Sequence, residues 1–205
     1  MCIDITKWLA VCFVLVVLTG AVKTTRWSFE NDSKNEPALS FSCEAGRWTV
    51  VELSEGGKAF AQTAKSPDQV YNVALVKESR ARDLDLSVRL RAIAGNDDQG
   101  GGLVWRALDS KNYYIARFNP LEDNFRVYKV VDGKRTQLLS ANAKNIPGWH
   151  ILHVRMRGDH ITCELDSKAF LDVHDATFPN AGKIGLWSKA DAQTQFDDLI
   201  LDVIE

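Results

Sequence analysis

Hydrolysis of a glycosidic bond needs two carboxyl groups, about 5–5.5 Å apart for retention and about 6.5–9.5 Å apart for inversion. In an extended strand, residues i and i+2 face the same way, roughly 6–7 Å apart. Asp83 and Asp85 therefore share one face, and Glu164 and Asp166 share another. The competing reading is a solvated strand face, with Asp83 and Asp85 paired to Arg82, Arg89 or neighbouring lysines. Binding a sugar asks for different side chains. Aromatic faces stack on the apolar surfaces of the ring, and planar polar groups bond its hydroxyls. Arg106, Asp109, Asn112, Tyr114 and Arg117 fall on two adjacent predicted strands and their turn. Trp187, with Lys189 and Asp191, makes a similar cluster at a strand end. Arg106, Asp109, Asn112, Tyr114, Arg117 and Trp187 are thus the candidate ligand-binding residues. Against this, Trp105, Trp149 and Trp187 also suit a core, and the arginines suit cross-strand ion pairs.

Other chemistries find less support. Asn31, Asp32, Asp197 and Asp198 would offer oxygens to a calcium ion if the two ends of the domain met. Turn and edge roles serve them equally. Four scattered histidines and well-separated cysteines show no zinc-ligand spacing, so no metal site and no cofactor are expected. His153 and His160 would be neighbours across a hairpin and read as a solvated pair. There is no Gly-x-Ser-x-Gly. Gly100-Gly101-Gly102 precedes a strand rather than a helix, so it is not a phosphate loop.

The elements that must position these residues follow a period of two almost throughout. Apolar and β-branched runs occupy 47–53 and 70–76. In 82–92, Leu84, Leu86, Val88 and Leu90 face one way, and Asp83, Asp85, Ser87, Arg89 and Arg91 face the other. This alternation marks an antiparallel sheet with one buried and one wet face. Further strands are predicted at 103–108, 113–118, 125–131 and 134–140, the last pair joined by the hairpin signal Asp132-Gly133. Others lie at 149–157, 160–166, 169–173, 183–189 and 195–203. Alternation sets Val104 and Arg106 opposite Leu103, Trp105 and Ala107. It sets Tyr114 and Ala116 opposite Tyr113, Ile115 and Arg117. Only short pieces near 36–40 or 174–180 suggest a turn of helix. About a dozen short strands at 8–12-residue spacing predict an all-β, antiparallel two-sheet jelly-roll sandwich. The concave face of one sheet is then the natural ligand platform.

Composition agrees with a globular fold. The 205 residues carry 25 Lys and Arg against 27 Asp and Glu, and 45% are hydrophobic. A near-zero net charge argues against nucleic acid as partner. Residues 1–22 are different material: Lys7 precedes an almost unbroken apolar run from Trp8 to Val22. That run is short for a membrane span and suits a signal peptide cleaved after Ala21. An uncleaved anchor is the alternative. The expected organisation is a signal peptide at 1–21 and one jelly-roll domain at 22–205, secreted or periplasmic, with no membrane attachment after cleavage. Removing 1–21 leaves Cys43 and Cys163, which an exported protein could join. Cys163 also reads as a small buried thiol on the face of Ile161 and Leu165.

Gly-Gly-Leu-Val-Trp-Arg (101–106), Asn-Tyr-Tyr (112–114), Asp-Gly-Lys (132–134), Ala-Gly-Lys-Ile-Gly-Leu-Trp (181–187) and Phe-Asp-Asp-Leu (196–199) resemble the concanavalin A-like lectin/glucanase superfamily. More narrowly they resemble domains described as 3-keto-disaccharide hydrolase-type or family 16 glycoside hydrolase-like. The resemblance spans roughly 27–203. It implies a jelly roll whose first and last strands lie side by side, with Trp27-Ser28-Phe29 beside Phe196 to Val203. Family 16 glucanases carry Glu-x-Asp-x-x-Glu on one strand. Here Asp83-Leu84-Asp85 is followed by Leu86, Ser87 and Val88, so the third acid is missing. The leading expectation is a carbohydrate-contacting module without a complete glucanase acid motif. The alternatives are an enzyme on a 3-keto-disaccharide or related glycoside, with Asp85, His153 or Glu122 as candidate base, and a cell-envelope protein-interaction module.

Overall fold

The computed structural model describes residues 23–144 and 146–204. The predicted signal peptide lies outside them. In chain order the strands are β1 (Lys23–Trp27), β2 (Phe41–Ala45), β3 (Trp48–Glu52), β4 (Lys58–Gln62), β5 (Tyr71–Val76), β6 (Asp83–Ala94), β7 (Gly101–Asp109), β8 (Asn112–Asn119), β9 (Asn124–Val131), β10 (Lys134–Asn142), β11 (His150–Arg157), β12 (His160–Leu165), β13 (Ala169–His174), β14 (Lys183–Lys189) and β15 (Gln193–Ile204). The described residues hold no helix, including at 36–40 and 174–180.

Two antiparallel sheets form. The eight-stranded sheet runs β13-β12-β11-β6-β15-β4-β3, with β1 also on β15; the seven-stranded sheet runs β10-β9-β8-β7-β14-β5-β2. The ends of the domain meet as the family resemblance implied, with Lys23 opposite Val203 and Trp27 opposite Leu199. Between the sheets lies the main core. Leu84, Leu86, Val88 and Leu90 of β6 meet Leu103, Trp105, Tyr114, Ala116 and Phe118 of the other sheet, all essentially inaccessible. Cys163 joins this core, whereas Cys43 is exposed on the opposite sheet, and both thiols are free. Burial pushes the Cys163 thiol well above its ordinary pKa.

A second apolar cluster forms on the outer face of the seven-stranded sheet: Val73, Val104, Tyr113, Ile115, Tyr128 and Trp187. Among the described residues no third layer of secondary structure covers it. The sheet curls over it instead. From β10 to β5 is five strand spacings, or about 24 Å along the sheet. Yet the Arg135 guanidinium on β10 lies 5.4 Å from the ring centre of Tyr71 on β5. The outer face of this sheet is therefore concave.

Glycine is required where β7, β8 and β14 cross. A Cβ on Gly102 would collide with the Ala116 carbonyl oxygen, and one on Gly101 would meet the Phe196 ring at 2.8 Å. A bulge interrupts β7 between Trp105 and Asp109, and Arg106 there has φ +46°. The bulge shifts the alternation, so Ala107 joins Val104 on the concave side rather than Leu103 and Trp105. β8 keeps the predicted alternation, with Tyr114 inward and Tyr113 and Ile115 outward.

Candidate functional site

The concave face of the seven-stranded sheet carries rings at its centre and charge at one end. The Trp187 indole donates to the Tyr113 hydroxyl at 3.0 Å, which locks both rings into the floor. Tyr71 packs on Trp187 with ring centres 5.4 Å apart. The Arg135 guanidinium rests over Tyr128 at 4.5 Å, Tyr71 at 5.4 Å and Trp187 at 5.7 Å. A planar cation held over three rings is attracted to their negative faces. A hollow of about 670 Å³ opens beside it, lined by Tyr71 and Arg135 together with Asp68, Asp132, Lys134 and Lys189. A second hollow of about 630 Å³ lies by Lys77, Leu108 and Lys183, and no aromatic residue lines it.

Charges gather beside this floor. Arg117 is buried and donates to Asp98 Oδ1 at 2.9 Å. Asn119 donates to the same oxygen at 3.0 Å, and Lys189 stands 3.7 Å from Asp98 Oδ2. Lys189 also pairs with Asp68. Glu122 accepts from Asn124 at 2.8 Å and from Arg126 at 3.1 Å. Two guanidinium nitrogens, Arg117 Nε and Arg135 Nη1, are buried without a hydrogen-bond partner among the described residues. An unpartnered buried donor costs about 1–3 kcal/mol. Burial drives the Asp98 carboxyl up, against the pull of Arg117 and Lys189. Burial also presses Glu122 upward, but the bond from Asn124 and the nearby guanidinium groups of Arg117, Arg126 and Arg135 hold it below its ordinary value.

The six sequence candidates divide between different places. Arg117 and Trp187 do belong to the concave face, as part of its buried floor rather than as exposed contacts. Tyr114 points into the inter-sheet core, donates to Asp175 Oδ1 at 2.7 Å and accepts from Phe178 N at 3.2 Å. Arg106 is fully buried at the end of the sandwich. It donates to the carbonyls of Arg82 at 2.7 Å, Phe178 at 2.9 Å and Gly158 at 2.7 Å, and to Asp83 Oδ1 at 3.1 Å. Burial takes Arg106 and Tyr114 away from any surface ligand. Asp109 and Asn112 build the β7–β8 turn: Asp109 accepts from Lys111 N, and Asn112 Oδ1 accepts from Asp132 N. Through that bond the turn braces the β9–β10 hairpin that borders the hollow. Lys189 and Asp191 also contribute, since Asp191 accepts from the backbone of Asn96, Asp97 and Asp98 and fixes the loop that presents Asp98.

Sequence reasoning missed Tyr71, Tyr128, Arg126 and Arg135. The signal available was position: Tyr128 and Arg126 share a strand face. Only the curl of the sheet brings Arg135 to Tyr71.

The carboxylate pairs lie elsewhere, and Asp83, Asp85 and Asp166 are engaged. Asp83 accepts from Arg106 and from Gly158 N, and Asp85 is clamped by Arg155 and His153. Asp166 accepts from Ile151 N at 2.8 Å and meets His150 Nδ1 at 2.6 Å, closing the β11–β12 hairpin end. The acids considered for calcium face arginines: Asp198 binds Arg26, and both Asp197 and Asp198 meet Arg89. Asp32 accepts from Leu39 N. Trp149 is not a core ring. It is half-buried, with Arg89 and Arg91 at 4.8 and 4.6 Å over its face, and it donates to Glu55. His153 stands opposite Glu164 rather than His160. Two of the scattered histidines nevertheless meet: His160 and His174 are cross-strand partners, with Asp172 beside them.

No protein-family profile matches the chain, and no curated protein matches it. Solved structures do. The chain folds as a two-sheet antiparallel jelly-roll β-sandwich, and the solved structures that follow are similar to it in fold. The carbohydrate-binding module CBM66 from Bacillus subtilis is 21% identical, with 80% of this chain and 95% of that one covered and a TM-score of 0.68. A protein of unknown function with a galectin-like fold, also from Bacillus subtilis, is 10% identical over 89% of this chain and 96% of that one, with a TM-score of 0.64. The GH43 protein BlXynB from Bacillus licheniformis is 14% identical over 87% of this chain but 39% of its own, with a TM-score of 0.63. These likenesses establish the fold.

Proposed function

We propose that the protein is an exported carbohydrate-binding module whose ligand lies on the concave face over Tyr71 and Arg135. The observation that carries this reading is the stacked Arg135–Tyr128–Tyr71–Trp187 assembly beside an open, charge-lined hollow. Tyr71 supplies a partly exposed ring for a sugar face. Asp68, Asp132, Lys134 and Lys189 supply donors and acceptors for hydroxyls. The neighbouring folds are those of a carbohydrate-binding module and a GH43 protein, which supports the same class of ligand. The apolar stretch from Trp8 to Val22 supports export. Pull-down on insoluble polysaccharides, followed by calorimetry with the oligosaccharides released from any that bind, tests the reading. Binding that is lost in Tyr71→Ala with the fold intact is expected. Absence of heat from every sugar at millimolar concentration refutes it.

A second reading, an enzyme on a glycoside such as a 3-keto-disaccharide, rests on Asp98 and Glu122. Their environments push the two carboxyls in opposite directions around one guanidinium. Burial of Asp98 beneath Arg117 and Lys189 makes this the weaker reading. Incubation with a 3-keto-glucoside separates the two, because a pure binder releases no sugar above background.

A further inference from the structure

We propose that His160, Asp172 and His174 form a binding site for a divalent transition-metal ion, of the zinc, nickel or copper type, on the outer face of the eight-stranded sheet. Register makes the site. His160 and His174 are direct partners across β12 and β13, and their rings lie parallel, 4.6 Å between centres and 8° between planes. Asp172 sits two residues before His174, so it projects from the same face. One ligand atom from each of the three lies within 4.8 Å of the others. An ion with bonds of about 2.0–2.2 Å to nitrogen and oxygen can gather such atoms with small rotations of exposed side chains.

The side chains already show the pairings that such a centre uses. His160 Nε2 meets Asp172 Oδ1 at 2.8 Å, where an ion would displace a single proton. Asp159 Oδ1 lies 3.2 Å from His174 Nδ1. A carboxylate there keeps the proton on Nδ1 and leaves Nε2 as the donor, the outer-shell arrangement common to metal-bound histidines. Arg157, the partner of His160 on β11, is the facing cation, and the carboxylates of Asp159 and Asp172 offset it. Two imidazoles with one carboxylate select borderline metals over calcium and magnesium, which prefer all-oxygen cages. An ion here would span β12 and β13. Since β13 ends the sheet and, among the described strands, pairs within it only with β12, the ion would staple the edge strand in place.

The test is titration of the whole protein with zinc, nickel or calcium chloride, read by calorimetry and by metal analysis after dialysis. One zinc per chain is expected, with a dissociation constant on the order of 10 µM and calcium at least about 100-fold weaker. His160→Ala and His174→Ala should each weaken zinc by about tenfold or more, with an unchanged circular dichroism spectrum, while His153→Ala should not. Zinc should also slow amide exchange in 169–174. The proposal is overturned if zinc fails to bind at about 1 mM, if both variants bind as the parent does, or if calcium binds as well as zinc.

Discussion

Replacing Arg106 by Met separates two roles that its sequence position left open. The guanidinium is inaccessible and serves four acceptors: three carbonyls at 2.7–2.9 Å and Asp83 at 3.1 Å. Met fills most of the volume but leaves these oxygens without a donor. The Phe178 carbonyl is in a buried setting, so it bears the full penalty of about 1–3 kcal/mol. The Arg82 and Gly158 carbonyls and Asp83 lie near the surface and recover part of their loss from water. The sum is about 3–5 kcal/mol, in line with breaking a buried charge pair. That is a large part of the 5–15 kcal/mol typical of a folded domain. Urea denaturation followed by tryptophan fluorescence should give a lower midpoint with an unchanged slope. Carbohydrate retention by the folded fraction should be that of the parent. A loss under about 1 kcal/mol, or lost retention in a fully folded variant, refutes the clamp and returns Arg106 to the ligand surface.

Arg135→Ala should reduce retention on the cognate polysaccharide at least about tenfold, since it removes both the stacked cation and a wall of the hollow; affinity electrophoresis reads this directly. Gly102→Ala should destabilise by more than about 3 kcal/mol or prevent folding, because the methyl group meets rigid backbone, and thermal melting checks it. Asp175 bears on acid stability. Burial presses its carboxyl upward, but Lys129, Thr177 and Tyr114 outweigh this and bring it down to about 2. Its stabilisation is therefore full above the unfolded value near 3.8 and lost as pH falls toward 2. Asp175→Asn should cost about 2 kcal/mol at pH 7 and little at pH 2, as measured by denaturation at both values.

The fold was readable because strands such as β6, β11 and β12 are wet on one side only. In β6, four leucines and valines alternate with acids and arginines, and that rhythm fixes both element and orientation. The short strands β2 and β4 escaped notice. β4 is buried along most of its length, so Ala59, Phe60, Ala61 and Gln62 show no alternation. The site was half legible. Arg117 and Trp187 stand out by type, and both lie in the buried floor of the concave face. Arg106 misled because a bulge, invisible in alternation, turns it into the sandwich. Tyr71 and Arg135 are 64 residues apart in a 205-residue chain, and no local pattern joins them. The same holds for His160 and His174, whose partnership depends on hairpin register.

The strand that supplies Arg135 has, among the described residues, a neighbour within its sheet on one side only, and a register shift interrupts its ladder between Gln137 and Leu139. One jaw of the cleft is thus an edge strand, held by β9 and by its packing on β13 and the core, while the jaw bearing Tyr71 is bonded on both flanks. A ligand on this face would meet one jaw that is a sheet edge and one that is not, above rings that the Trp187–Tyr113 bond holds together.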